Sequence, residues 1–363
     1  MKGRIVFVML GKKDYLSGGY VFNFRMVEAL ESAGYEVDIV HFRTVPPDLP
    51  LSWPRASLYV YRRIIEKNPD LVVVSKSYQY LPLFRISGLS RRVPVLFLMH
   101  HLEWVDRKRR PEATVYRRYV KWLLGMADRV WTNSANSSEA LVSMGVPPDM
   151  VRVIPPGFEK TGGPPPRRRD REGPVRLLCV GSVSPRKSQH ILLQACTRLE
   201  PESFFLNIVG SLDADPEYAG MVENLVGKYG LKNVVRMSGV LEGEDLRRAY
   251  DQADLLVHPA VWEAFGMSIV EGMWRGLPVV ASDVAAVPEL VRHGENGVLV
   301  RPGDVEELAA AIRSLVGDAD ARLKMGAAGR RFAESMNDWN AVNHEFLELV
   351  TETMETGKGS PWL

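Results

Sequence analysis

The sequence contains few cysteines and no long apolar run. Only two cysteines, Cys179 and Cys196, occur among 363 residues. Both lie in apolar stretches, which excludes a disulfide framework and favours a reducing compartment. No apolar stretch approaches the ~20 residues that cross a bilayer, and the apolar run near the N-terminus is too short for a secretory signal. We therefore expect a cytoplasmic location.

The sequence also has little net charge, but the charge is unevenly distributed. The formal net charge is +2, yet residues 1–160 carry 24 Lys and Arg against 15 Asp and Glu, and the remainder carries 22 against 29. A basic first part and an acidic second part indicate different partners for the two parts. No recognisable nucleic-acid module accompanies the basic part, so we expect no nucleic-acid partner.

Short apolar runs alternate with amphipathic helical stretches along the chain. Runs such as RIVFVML and DLVVVS predict buried strands, and FNFRMVEALESAG predicts a helix, which together give the βαβ rhythm of a parallel sheet. This alternation of predicted strands and helices is interrupted by the Pro-, Gly- and Arg-rich segment 155–174 and resumes after it. This segment is interpreted as a linker, with a single long surface loop as the alternative.

The predicted fold class is therefore α/β, with two Rossmann-like, doubly wound domains at residues 1–163 and 174–335. A helical segment, 336–363, has no following strand and is a candidate to cross back to the first domain. Ligands of such sheets bind at the carboxyl ends of the strands. This rule predicts a site where the two domains face a central cleft.

The segment HPAVWEAFGMSIVEGMWRGLPVVASD, residues 258–283, places Glu263 before a predicted helix and Glu271 inside it. The amides at the helix start have no intrahelical partner and favour a phosphate. Glu271 leans back toward the helix start and suits a ribose, while Glu263 suits the hydroxyls of a hexose. The pattern predicts a nucleotide sugar, and the alternative is two solvated glutamates. The amides are those of Gly266, Met267 and Ser268.

Three other loops follow predicted strands and carry candidate residues. Arg186 and Lys187 open a predicted helix and provide two cations for a diphosphate leaving group, or they form a solvated surface pair. Gly18 and Gly19 allow close approach of the backbone to phosphates or acceptor, or they form a plain flexible turn. His100, the first of two adjacent histidines, is a candidate for contact with the sugar or the acceptor.

These residues resemble a known family, the retaining GT-B-fold glycosyltransferases of family 4, over nearly the whole chain. EAFGMSIVE resembles the E-x7-E element of that family, and GLPVVASDVAAVPELVRHGENGVLVRPGD resembles the stretch that follows it. The opening loop with SGGYVFNF and the stretch ADRVWTNSANSSEALVSMGV also match. The resemblance implies donor-hexose contact by Glu263, backbone contacts by Phe265 to Ser268, ribose binding by Glu271, diphosphate binding by Lys187, and donor contacts by His100 and Asn133.

The sequence departs from the family pattern at two places. Many members carry an arginine directly after the glycine at 181, where this chain has Ser182, and we hypothesise that Arg186 replaces it. The usual Gly-Gly before the xPE turn reads Ala285-Ala286.

The resemblance also implies catalysis without a metal or another cofactor. The triplet Asp-Ala-Asp at 213–215 matches the D-x-D of metal-using glycosyltransferases. It recurs at 318–320 in a predicted surface turn, however, so it carries little information.

We therefore expect a retaining hexosyltransferase that uses a UDP- or GDP-sugar and a hydroxyl acceptor. The alternatives are a catalytically weak nucleotide-sugar-binding subunit and another GT-B enzyme, such as an epimerase or a phosphorylase. The basic, aromatic-flanked segment 100–129 favours peripheral contact with an anionic membrane and a lipid-linked acceptor, with an acceptor glycan as the other candidate. The alternative for this segment is a solvated basic face over a core stripe of Val115, Tyr119, Trp122 and Leu123.

Overall fold

A computed structural model describes residues 2–10, 18–42, 52–75, 81–100, 112–163 and 173–357. The chain divides into two compact units, of which the first comprises Met1–Gly157 and Asn337–Leu363 and the second comprises Phe158–Met336. The chain therefore leaves the first unit and returns to it. Residues 164–172 of the predicted linker lie outside the described residues.

The strands alternate with helices in both units, as expected for βαβ connections. In chain order the strands are β1 Arg4–Leu10, β2 Glu36–Phe42, β3 Leu71–Ser75, β4 Val95–Met99, β5 Arg129–Thr132, β6 Val151–Val153, β7 Val175–Val180, β8 Phe204–Val209, β9 Val235–Gly239, β10 Leu255–His258, β11 Val279–Ser282 and β12 Gly297–Val300.

The α-helices in chain order are α1 Gly18–Ser32, α2 Ser52–Lys67, α3 Pro82–Ile86, α4 Glu112–Leu124, α5 Ala135–Ser143, α6 Gln189–Cys196, α7 Pro216–Lys228, α8 Gly243–Gln252, α9 Met267–Trp274, α10 Val287–Leu290, α11 Val305–Gly317, α12 Ala319–Ser335 and α13 Trp339–Thr356. Short 3-10 turns occupy Leu89–Arg91, Pro148–Met150, Pro185–Lys187 and Pro201–Ser203. Within the described ranges, no helix combines the length and the hydropathy that a bilayer span requires.

The first unit contains a parallel sheet in the order β2-β1-β3-β4-β5-β6. Alternate residues of β1 are buried on opposite faces: Val6 and Val8 pack in one core cluster, while Phe7 is equally buried outside it. Helices therefore cover both faces, which explains why the strands read as continuous apolar runs.

The C-terminal helix α13 lies in the first unit. Phe22 of α1 contacts the rings of Trp339 and Phe346. Glu352, farther along the same helix, forms an ion pair of 2.9 Å with Arg129 at the start of β5. The last helix thus completes the core of the unit that the first residues begin.

The second unit contains a parallel sheet in the order β12-β11-β10-β7-β8-β9. The chain moves outward from β7 to β9, then returns to place β10 beside β7, with Leu255 opposite Leu177. The winding direction reverses between these two strands. In open α/β sheets, the crevice outside the carboxyl ends of the strands at such a reversal is where ligands bind. The prediction of α/β architecture with two doubly wound sheets is confirmed.

An aspartate precedes a strand in the same way at three places across the two sheets. Its amide donates to the carbonyl of a residue at the start of the neighbouring strand, and its carboxylate accepts from the amide of that same residue. The three carboxylate bonds are 2.8, 2.8 and 2.9 Å long. This exchange satisfies backbone groups that the parallel ladder leaves unpaired at its amino end. The pairs are Arg4–Asp70, Val95–Asp128 and Arg176–Asp254.

Candidate functional site

The turn after β7 presents a lysine at the reversal point of the second sheet. Gly181 has φ +148°, and a Cβ there would lie 3.1 Å from Cε of Lys187, so the glycine leaves room for the lysine stem. Arg186 and Lys187 were predicted to open a helix, but they lie in the 3-10 turn Pro185–Lys187, and α6 begins at Gln189. The reason is Ser188, whose left-handed φ of 53° breaks the helical path.

Glu263, in the loop after β10, accepts hydrogen bonds and ion pairs from two strand ends. Its Oε2 atom lies within ion-pair distance of Lys187 Nζ, 3.1 Å from His258 Nε2 and 3.6 Å from Arg186 NH1. The side chains of Lys187 and Glu263 are 13% and 11% exposed. The reversal point therefore holds a largely buried carboxylate ringed by donors, a combination typical of functional sites.

The charges in this cluster perturb one another. Burial alone would raise the pKa of Glu263, but Lys187, His258 and Arg186 outweigh it and hold this pKa well below its ordinary value. Burial lowers the pKa of Lys187, and the Glu263 carboxylate opposes that lowering. Burial and the positive charge of Lys187 also lower the pKa of His258, so its imidazole is neutral near pH 7.

Backbone hydrogen bonds join the loops that carry these side chains. The carbonyl of Arg186 accepts from the amide of Val261 at 3.0 Å, and its guanidinium donates to the carbonyl of Trp262 at 3.1 Å. The amide of Ala286 donates to the carbonyl of Glu263 at 3.2 Å. Ala285 has φ +44°, so the loop in which the family usually has glycines keeps a left-handed residue here despite the side chain.

Helix α9 begins directly after Gly266, as the sequence predicts. Gly266 has φ +110°, a backbone conformation that favours glycine. Phe265 is buried in a core cluster and fixes the entry into the helix. The first amides of α9, including those of Met267 and Ser268, are left without intrahelical acceptors by helix geometry. The start of α9 and the Glu263 cluster therefore both follow strand β10.

Glu271 lies one turn inside α9 and is held by a tyrosine from α8. Its Oε2 atom accepts a 2.7 Å hydrogen bond from the hydroxyl of Tyr250. Burial raises the pKa of Glu271, and this hydrogen bond opposes the rise. The carboxylate is thus oriented before any ligand binds, and its second oxygen is the candidate acceptor for a ribose hydroxyl.

The first unit brings three predicted residues together at the ends of its strands. His100, after β4, is 6% exposed, and its Nε2 atom lies 2.8 Å from Oδ1 of Asn23. The amide nitrogen of Asn133, after β5, donates to the carbonyl of His100 at 3.2 Å, and Asn133 Oδ1 is buried without a hydrogen-bond partner. A Cβ at Gly19 would lie 3.5 Å from the His100 ring. Gly18 is the first residue of α1.

Several members of these clusters are absent from the sequence prediction. His258 is the first residue of the segment 258–283 and the last residue of a strand. Its position at the carboxyl end of a strand could therefore have marked it as a candidate site residue. Tyr250 and Asn23 lie inside helices and give no such signal. Asn23 also donates to Ser75 Oγ at 2.8 Å, which links α1 to the end of β3.

The basic segment proposed for membrane contact is described only in part. Residues 101–111 lie outside the described residues. Within α4, Arg117 and Arg118 are exposed, whereas Leu123 is buried and Tyr119 and Trp122 pack against the core. Trp122 stacks on Tyr119 and carries the guanidinium of Arg85 over its ring. The described part therefore has the basic face of the alternative interpretation and three residues of its core stripe, while the side chain of Val115 lies outside the described part.

The two Asp-Ala-Asp triplets both place an aspartate at a helix start. Asp215 caps α7 by accepting from the amide of Tyr218 at 3.0 Å, and Asp318 caps α12 by accepting from the amide of Ala321 at 2.8 Å. Capping explains why the pattern occurs twice. In the described ranges, no group of three or more His, Cys, Asp and Glu side chains is arranged to hold a metal ion.

Comparison with protein families agrees with this geometry. The family model described as Glycosyl transferases group 1 matches residues 166–332, and the model described as Glycosyltransferase Family 4 matches residues 16–161. The chain belongs to the family 4, group 1 glycosyltransferases. The first match contains the whole Lys187–Glu263 cluster and α9, and the second contains the His100 cluster, so the family assignment covers both candidate clusters.

A sequence relative also supports the family assignment. The chain is 33% identical over 215 residues to the MMP alpha-(1->4)-mannosyltransferase of Mycolicibacterium hassiacum, covering 58% of this chain and 50% of that protein. The chain thus spans half the length of that relative.

Solved structures extend the likeness to nearly the full chain. The sucrose-phosphate synthase from Thermosynechococcus elongatus superposes with a TM-score of 0.82 at 22% identity, over 98% of this chain and 100% of that one. Anabaena HepE in complex with UDP-glucose superposes with a TM-score of 0.76 at 22% identity, over 96% and 100% of the two chains. At this identity the likeness establishes the fold.

Proposed function

We propose that this protein is a retaining glycosyltransferase that moves a hexose from a nucleoside diphosphate sugar to a hydroxyl acceptor. The observation that carries the proposal is the cluster of Lys187, Arg186 and Glu263 at the reversal point of the second sheet. Two cations and a helix start suit a diphosphate, and two flanking carboxylates suit the hydroxyls of the sugars at its two ends. UDP-glucose in the structure of HepE supports this class of donor.

The chemistry follows from where charge develops. As the bond between the sugar and the diphosphate breaks, negative charge accumulates on the leaving group, and Lys187, Arg186 and the amides at the start of α9 stabilise it. Glu263 accepts hydrogen bonds from the hexose, and Glu271 accepts them from the ribose. We also propose sugar contacts by His100 and Asn133, which the resemblance to the family implies. Retention on one face, with the leaving phosphate accepting the proton of the acceptor, fits a site without an assigned nucleophile, and no metal is expected to be required.

Ligand-induced thermal shifts test the donor. UDP-glucose, UDP-galactose and GDP-mannose are compared with their parent nucleotides at fixed concentration, because a ligand that binds the folded state raises its melting temperature. Lys187→Met is expected to abolish the shift, and the control Lys228→Met, on the exposed end of α7, is expected to leave it unchanged. Equal shifts in both variants would contradict the assigned diphosphate site.

Product analysis tests the reaction. A donor labelled in its hexose is incubated with candidate acceptors, and the anomeric configuration of the product is read by proton NMR. Transfer of label to a new acceptor with the donor's configuration is the expected result. An inverted product refutes the retaining mechanism, and recovery of label only in an epimerised donor or in a sugar phosphate favours the alternative GT-B activities.

The acceptor is proposed to be lipid-linked or a glycan, with the protein peripheral at the inner face of the cytoplasmic membrane. The exposed Arg117 and Arg118 of α4 support attraction to anionic lipid. Sedimentation with phosphatidylglycerol vesicles at low and high salt tests this. Failure to sediment at low salt argues for a soluble glycan acceptor.

A nucleotide-sugar-binding subunit with weak activity is the second candidate. Two observations favour it: Ser182 in place of an arginine, and the left-handed backbone of Ala285 at the loop bonded to Glu263. The two candidates are distinguished by turnover with a donor that has already given a thermal shift. Binding without transfer or donor hydrolysis supports the subunit.

A further inference from the structure

The hydrogen bonds around Glu263 converge on a single oxygen. Lys187, His258 and Arg186 all approach Oε2, with His258 Nε2 at 3.1 Å and Arg186 NH1 at 3.6 Å. A carboxylate oxygen has two lone-pair sites. Lys187 and His258 fill both, and Arg186 contributes charge at longer range. The two close donors come from different elements, a turn and the end of a strand.

The hydrogen-bond partner of His258 determines which of its two ring nitrogens carries the proton. Glu263 is ionised, so a contact to its oxygen requires a hydrogen on Nε2, and the neutral ring then has its lone pair on Nδ1. His258 is 2% exposed and ends β10, where the ladder with β11 fixes its backbone. Lys187 lies in a turn on a longer side chain. His258 is therefore the rigid donor to Glu263, and Lys187 is the adaptable one.

A diphosphate bound at Lys187 and Arg186 competes with the Glu263 carboxylate for ion pairing with these two cationic side chains. We propose that His258 is a positioning residue that keeps Glu263 in place when these cations engage the donor diphosphate, and that its ring takes up a proton from solvent at Nδ1 as the diphosphate binds. The proposal rests on the proposed function. It assigns a role to a residue that does not itself contact the donor.

The charged and titratable groups facing His258 give the direction of the effect. They are Lys187 and Arg186 from the turn after β7 and Glu263 from the loop after β10. The buried thiol of Cys179 on β7 interacts with Lys187 and stays neutral because burial raises its pKa to about 12. Before binding, burial and Lys187 lower the pKa of His258. A diphosphate neutralises both cations and adds negative charge, which raises that pKa and favours the imidazolium.

Calorimetric titration with UDP and with GDP measures the proton directly. Binding enthalpies at pH 7 in buffers of different ionisation enthalpy give the net number of protons taken up, and we expect this number to be higher in the parent protein than in a variant that lacks the imidazole. His258→Gln keeps a donor to Glu263 but cannot be protonated, so the uptake should fall while binding remains. The control His293→Gln, at an exposed position, should keep the uptake.

Turnover separates positioning from protonation. His258→Gln should retain kcat within about threefold with a flattened pH profile, whereas His258→Phe, which has no donor, should lose at least tenfold in kcat with a smaller change in KM. If His258→Phe does not fold, the glutamine variant alone decides. Nucleotide binding with unchanged uptake in His258→Gln overturns this proposal and leaves the proposed function intact. Absence of binding by both nucleotides overturns both.

Discussion

The ion pair between Lys187 and Glu263 predicts a strong and asymmetric energetic coupling. Both side chains are largely buried, at 13% and 11% exposure. Lys187→Met keeps the stem and removes the charge, but Glu263 still has His258 and Arg186. We therefore expect a loss of about 2 kcal/mol in the free energy of unfolding.

Glu263→Gln should cost more. Among the described residues, Glu263 is the only carboxylate within ion-pair distance of Lys187, so the variant leaves a buried ammonium without a counter-charge. Removing one partner of a buried pair costs about 3–5 kcal/mol. The double variant removes both charges and should be no less stable than Glu263→Gln alone. The coupling free energy is then at least about 2 kcal/mol.

Urea unfolding is monitored by hydrogen exchange in peptides that contain β7 and β10. The measured free energy of unfolding is then that of the second unit, separate from that of the first. The exposed pair Arg198–Glu306, in the same unit with side chains 43% and 73% exposed, serves as the matched control. Its coupling should fall below about 1 kcal/mol. A Lys187–Glu263 coupling as small as that of the control would refute the assignment of this pair as a buried, mutually dependent unit.

Three further perturbations have defined outcomes. The pKa of Asp128 is raised to about 6 by burial, so the folded state binds more protons than the unfolded state between about pH 4 and 6, and stability falls as pH rises through that window. Asp128→Asn should be similar in stability at pH 4 and about 1–2 kcal/mol more stable at pH 7, after allowance for partial exposure. Ala285→Gly should relieve the left-handed backbone and raise stability by up to about 1 kcal/mol, whereas Ala286→Gly, at an ordinary φ of −85°, should lower it. Tyr250→Phe removes the 2.7 Å hydrogen bond to Glu271 and should weaken nucleotide binding about tenfold in calorimetry.

Each of these results has a contrary outcome. A parallel pH–stability profile for Asp128→Asn and the parent protein contradicts a raised pKa. Equal effects of glycine at 285 and 286 contradict a strained Ala285. Unchanged nucleotide affinity in Tyr250→Phe contradicts a role of the Tyr250 hydrogen bond in orienting the Glu271 carboxylate. Tyr229→Phe is the control.

The sequence predicts those features that are local in the chain. Apolar runs identify the strands because both faces of each parallel sheet are covered, and Gly266 marks the start of α9 because the chain needs a left-handed residue there. The pairing of Lys187 with Glu263 spans 76 residues, and that of Asn23 with His100 spans 77. Such pairs depend on which strands become neighbours, and no periodicity carries that information.

Local rules also explain where the prediction of the site was incomplete. Arg186 and Lys187 precede a stretch with helical spacing, which predicts that they begin the helix. Ser188, however, adopts a left-handed conformation that the sequence does not indicate. The sequence pattern pairs Glu263 with sugar hydroxyls alone. Its cationic partners follow a different strand, so their proximity becomes visible only once β7 and β10 are adjacent.

The return of α13 to the first unit has a consequence for biosynthesis. Phe22 packs against Trp339 and Phe346, which a ribosome adds more than three hundred residues later. The segment Phe158–Met336 is continuous and has its own core, so it can fold while the nascent N-terminal segment still has one side of its apolar interior uncovered. Completion of the N-terminal half therefore waits until α13 has been synthesised. A premature stop near codon 336 leaves that half, rather than the half nearest the stop, exposed to aggregation and proteolysis.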